Sequence, residues 1–291
     1  MKSRIALALL AGIALVGCSS TNEETAPDST PTPVETTAPT DDHGDGKEDG
    51  HEDGHDHSAM AGGLGTSATV DGFTLNISTI EATATGAQEL GFVISAEDGT
   101  PVTSFEEHHE KTMHMIIFKH DLTDYQHVHP EMNAAGTWTV PVSFSTAGVY
   151  HVVADFVSAG KPVVLGTDVQ IAGGAMVMAS FSEESRTAVS GPYTATLVGD
   201  TAHEASSVLK VEFTKDGAPV EAVNPYLGAN AHMVAINPAT LGYTHMHPND
   251  GFPGGVMTFT TPAMEHGFFK VFLQADFDGE LRLFEFVFEG K

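Results

Sequence analysis

Cysteine is almost absent from this sequence. The 291 residues include one, Cys18, so no internal disulfide can form. Basic residues are scarce too: 12 Lys and Arg stand against 39 Asp and Glu, a formal charge of −27. A surface this acidic repels nucleic acid and attracts cations, so no nucleic-acid partner is expected. A helical apolar period is missing throughout, which excludes a bundle. Beyond the first 18 residues no apolar run is long enough to cross a bilayer.

What is there begins with a targeting signal. Lys2 and Arg4 precede the apolar run Ile5 to Val16, and Leu15-Val16-Gly17-Cys18 resembles the lipobox of bacterial lipoproteins. Residues 1–18 are therefore expected to be a lipoprotein signal peptide ending in an acylated Cys18. The protein is then exported and lipid-anchored at the extracytoplasmic face of the cell membrane. Residues 19–65 read as a disordered tether, rich in Thr and Pro and then in His and Asp. Its His43, His51, His55 and His57 suit loose cation capture, with His51, His55 and His57 the candidates for weak sites.

The remainder is a repeat. His114-Met115 followed by His127-Val128-His129-Pro130 recurs as His232-Met233 followed by His245-Met246-His247-Pro248, both being His-x12-His-x-His-Pro. Asp98 to Val102 echoes Asp216 to Val220, and Ala154-Asp155-Phe156 echoes Ala275-Asp276-Phe277. Short alternating or apolar runs, rich in β-branched residues and punctuated by Gly, Pro, Asp and Asn, fill both copies. The expectation is an all-β protein with two tandem immunoglobulin-like β-sandwich modules at 66–172 and 191–291. A linker, 173–190, joins them, with room for a strand at Ala175–Phe181.

Two histidines two residues apart on a strand share a face. A hairpin turn near Asp121 would bring His114 opposite His127 or His129, and Asn237-Pro238-Ala239-Thr240 would serve the second copy. Three imidazoles on one face suit a metal ion, so His114, His127, His129, His232, His245 and His247 are the candidate ligands. Asp155 and Asp276 are candidate fourth ligands, or acceptors that orient an imidazole. Met113, Met115, Met233 and Met246 should face the core. His108, His109, His120, His203 and His266 have no repeat partner and are placed at the surface, and His151 lacks a clear one. The histidine faces themselves are expected to lie exposed.

Asp121 to Pro130, Gly136-Thr137-Trp138, Gly148-Val149-Tyr150, Ala154-Asp155-Phe156, and Pro225 to Ala229 ahead of His245 to Pro248 together resemble exported actinobacterial lipoproteins. Those proteins carry tandem heavy-metal-associated β-sandwich modules. The second copy departs in its turn, Asn237-Pro238. The resemblance implies metal binding and export and brings no catalytic activity with it. Copper is the first candidate ion and zinc the second, since imidazole suits both. A cupredoxin-type copper centre is set aside, because it needs a thiolate and Cys18 is spent on the lipid. Two other readings are a structural or interaction protein without tight metal, and a zinc-dependent hydrolase at an open three-histidine site.

Overall fold

The computed structural model describes residues 64–80 and 85–291. Cys18, the leader and the tail histidines lie outside these. Among the described residues, no helix is long and apolar enough to cross a membrane.

Both modules are immunoglobulin-like β-sandwiches. The first contains β1 (Thr69–Val70), β2 (Phe73–Thr79), β3 (Gly86–Ser95), β4 (His114–Lys119), β5 (Gln126–Val128), β6 (Glu131–Met132), β7 (Thr137–Phe144), β8 (Gly148–Ser158) and β9 (Lys161–Ile171). One sheet runs β1-β2-β3-β7-β6 and the other β5-β4-β8-β9. The second contains β10 (Thr187–Ser190), β11 (Tyr193–Val198), β12 (Ser207–Lys215), β13 (Ala218–Pro219), β14 (His232–Ile236), β15 (Tyr243–Met246), β16 (Val256–Thr261), β17 (Gly267–Phe277) and β18 (Glu280–Gly290). Here β10-β11-β12-β13, with β16 also on β12, faces β15-β14-β17-β18.

Alternation builds each core. In β7 the pattern Thr-Trp-Thr-Val-Pro-Val-Ser-Phe buries every second residue, and Trp138 stacks 6.0 Å from Phe92. Phe284, Phe286 and Phe288 point together into the second core, as their period requires. Met113 and Met115 lie in the first core, and Met233 and Met246 in the second.

The structure departs from expectation at the linker and in β9. Residues 175–181 form no strand, although Ala179 and Phe181 pack against a third apolar cluster. Thr187–Ser190 pairs with β11 and so belongs to module two. The expectation did not single out β9, because Lys161, Pro162, Thr167, Asp168 and Gln170 dilute its apolar run.

That third cluster is a seam between the modules. Ile116, Phe118, Val153 and Val164 of module one meet Val234, Ile236, Tyr243 and Phe272 of module two, and Tyr125 stacks on Phe272 with ring centroids 4.1 Å apart. The two four-stranded sheets thus bury their outer faces against each other. The residues of β4 and β14 that do not face a core face this seam, and they include His114 and His232.

Candidate metal centre

Each triplet is placed by one β-hairpin. Met115 pairs with Val128 and Met233 with Met246, a register that sets His114 opposite His129 and His232 opposite His247. The turns hold this register through side-chain acceptors: Asp121 Oδ1 receives the Thr123 amide, and Asn237 Oδ1 the Ala239 amide. Pro130 and Pro248 follow directly, where a residue without N–H ends the ladder.

The histidines are not exposed. His114 and His232 are 2% and 1% accessible, because the modules close over them. His127 and His245 lie at the same seam, with rings 5.5 Å apart, and His114 lies 6.1 Å from His232. The two triplets therefore form one six-histidine cluster. Within each triplet, one nitrogen per ring lies within 4.8 Å of the others. Ring centroids are 4.8–5.4 Å apart in the first triplet and 4.5–5.3 Å in the second. Rings bound to one tetrahedral ion at about 2.0–2.1 Å would stand about 5 Å apart.

Proton accounting sharpens the geometry. His114 donates Nε2–H to the His108 carbonyl, and His232 donates Nε2–H to the Tyr226 carbonyl. A neutral imidazole has one N–H, so both Nδ1 atoms carry bare lone pairs. His127 spends its Nδ1–H on Gln274 Oε1, which leaves its Nε2 bare as well. Yet His114 Nδ1 and His127 Nε2 stand 3.1 Å apart. In module two, His232 Nδ1 faces His245 Nε2 at 3.1 Å and His247 Nε2 at 2.9 Å. His129 Nε2 is buried without a partner. In the first triplet two lone pairs thus face each other, an arrangement that a cation between them would relieve. An extra proton is disfavoured, because burial lowers every pKa in the cluster. His232 falls to about 4 and His129 to about 3, with neighbouring histidines adding to the depression. Burial pushes His127 and His245 well below the ordinary value, and His114 and His247 are lowered too.

The orienting groups cross the seam. Asp155 pairs with His114 in its own sheet, but its Oδ2 lies 3.6 Å from His245 Nδ1 and accepts the Tyr243 hydroxyl at 3.0 Å. Burial raises the Asp155 pKa, against the lowering effect of His114 and Tyr243. Gln274 pairs with His232 and serves His127. Asp276 is placed elsewhere, accepting from Asn224 and the Gly279 amide. The Ala-Asp-Phe echo is out of structural register: the ladder makes Gln274 the counterpart of Asp155, and Asp276 that of Val157.

Other histidines also move from their expected surface positions. His109 lies against His247, with centroids 3.6 Å apart. His120 and His151 are buried, and Asp168 Oδ1 accepts from both, at 2.9 and 2.6 Å. That group is far along β8 from Asp155 and has no copy in module two. His203 and His266 stack on each other at the surface. A cavity of about 450 Å³ opens beside the cluster, lined in part by His108, His109, Asp155, Tyr243, His245 and His247.

Among curated proteins none matches the sequence. Solved structures give distant likenesses. A tetra-tandem repeat from the extending region of a large adhesion protein is 14% identical, with a TM-score of 0.26, over 75% of this chain and 49% of that one. An I-band fragment of titin is 8% identical, TM-score 0.19, over 73% and 62%. A protein of Corynebacterium diphtheriae described as a putative membrane anchored protein is 10% identical, TM-score 0.23, over 74% and 57%. The chain thus spans about half the length of the first of these. A sequence family matches far more directly, at residues 68–173 and again at 187–291. The chain belongs to that family, described as a domain of unknown function, DUF8832, and carries the domain twice.

Proposed function

We propose that this protein is a lipid-anchored, extracytoplasmic metal-binding protein that holds two ions in the seam between its modules. One ion sits among His114, His127 and His129, the other among His232, His245 and His247. The observation that carries this reading is the facing of bare His114 Nδ1 and His127 Nε2, each held by a hydrogen bond on the far side of its ring, with the same convergence of nitrogens on bare His232 Nδ1 in the second triplet. Three neutral nitrogens with buried acceptors behind them suit copper first and zinc second. The role is capture, buffering or delivery. An acidic surface raises the local cation concentration, and the tail histidines would pass ions inward. Membrane attachment through Cys18 would keep this store at the cell surface.

Elemental analysis of the purified protein after growth in a mixed-metal medium tests the reading. Two equivalents of copper or zinc per chain, resistant to dialysis, are expected. Protein that emerges metal-free and binds neither ion tightly on titration would replace this reading with a structural one, in which the seam alone is the purpose of the fold.

A further inference from the structure

The turn that precedes β4 carries a cost the triplets do not explain. His108 and Lys111 bridge each other, and the two residues between them, His109 and Glu110, have φ of +53° and +60°. Consecutive left-handed residues closing a two-residue loop make a type I′ turn, whose usual occupants are Asn and Gly. Module two has the same turn, bridged from Tyr226 to Ala229, with Leu227 and Gly228 at φ of +52° and +72°. The equivalence is fixed by the carbonyls that receive His114 and His232, each six residues upstream. His109 therefore answers to Leu227, and Glu110 to Gly228. Module one thus has Glu110 where module two has a glycine, and an imidazole at the other left-handed position. Strain of this kind concentrates where geometry serves function.

His109 lies between the triplets and leans on the second, although its ring is also 6.2 Å from His114 of its own. Its ring centroid is 3.6 Å from His247 and 6.4 Å from both His232 and His245. The two turns also touch, since a Cβ on Gly228 would lie 3.3 Å from Glu110 Cγ. This contact keeps the turn that carries His109 beside the second module. Four imidazoles on one tetrahedral ion would have centroids about 5 Å apart, so His109 must slide about 4 Å off His247 and across the triplet to even the three distances. Nothing comparable is available to the first triplet, because Leu227 has no ligand atom.

We propose that His109 is a fourth ligand to the ion held by His232, His245 and His247, so that module two's site is completed by module one. This rests on reading the triplets as metal sites. The two sites are then unequal by construction. The second is closed by four imidazoles and ties the modules together. The first keeps an open position and is the one that exchanges ions with solvent or a partner. Closed four-ligand sites are the structural kind, and three-ligand sites with a vacancy the reactive kind.

The test is zinc titration of the full chain against a chromophoric chelator, comparing wild type with His109→Asn and Leu227→His. Asparagine tolerates positive φ, so the first variant removes the imidazole without adding strain. Wild type should show two tight sites differing at least tenfold in Kd. His109→Asn should weaken the tighter one tenfold or more with two ions still bound, and X-ray absorption should lose one nitrogen from the average shell of that site. Leu227→His should tighten the weaker site. A change of less than threefold on His109→Asn overturns the inference and leaves the two-site reading standing. Absence of any tight zinc in wild type removes both.

Discussion

A neutral imidazole has one proton to donate, and that limit governs the six histidines individually. His114 and His232 direct theirs at carbonyls and keep Nδ1 bare. Without an ion, the facing lone pairs of His114 and His127 are repulsive, and protonation relieves them only at a cost in so dry a seam. The pH dependence follows from the same burial. The folded pKa values are depressed, to about 4 for His232 and about 3 for His129, while the unfolded chain titrates near 6.5. Between those limits the unfolded state binds more protons, so stability of the metal-free protein falls as pH drops below about 6.5. Urea unfolding of the chelated protein between pH 7.5 and 4.5 should show that decline, of order 1 kcal/mol or more per buried histidine fully titrated in the unfolded chain. A flat profile would mean the histidines are open to solvent. Asp155 lies 3.6 Å from His245 Nδ1 and reaches His114 only through its charge. Asp155→Asn should weaken the second site about 10- to 100-fold in metal competition while leaving the first within a few fold.

At the scale of elements, the hairpins β4–β5 and β14–β15 do the placing, and their logic was readable. Period two puts His127 and His129 on one face, turn chemistry at Asp121 and Asn237 sets the register, and His114 then falls opposite His129. Of the acceptors, Asp155 was legible but not the ring it serves, and Gln274 was not legible at all. Gln274 and Asp155 act across the seam, and no pattern within one strand reports which ladder step faces a neighbouring module. The Ala-Asp-Phe echo suggested Asp276 because tripeptides repeat without regard to pairing. One signal was available and unused. The runs His114 to Phe118 and His232 to Ile236 are buried at every position. An unbroken apolar run of that length says that both faces of a strand are covered. A close approach elsewhere offers a check on the packing. A Cβ on Gly166 would lie 1.6 Å from the Gly65 carbonyl oxygen, where backbone must yield. Gly166→Ala should therefore destabilise module one by about 1–3 kcal/mol in urea unfolding, whereas Gly160→Ala, with open space around it, should cost only its positive φ.

For the whole molecule, the seam packs the two modules into one unit. Burial of Ile116, Phe118, Val153, Val234, Ile236 and Phe272 holds the sheets face to face, and the same closure dries the histidines. Ions that bind only this closed form stabilise it by mass action, about 2.7 kcal/mol for one site at a hundred times its Kd. Chelation should lower the melting temperature by several degrees, and the loss should be reversible on adding zinc or copper. Deleting residues 41–60, which hold four of the tail histidines, should remove weakly held ions and leave the two tight sites intact.

The most direct measurement is copper and zinc stoichiometry of the quadruple variant His127→Ala, His129→Ala, His245→Ala, His247→Ala beside wild type. Because these rings are packed in the seam and not spread on an open face, the variant should also lose about 2–5 kcal/mol of stability per module, so circular dichroism must first show the β-sandwiches folded. The folded variant should then bind neither ion tightly, against two equivalents for wild type. Two tight equivalents retained by the folded variant would contradict the assignment of the histidine triplets as the metal sites.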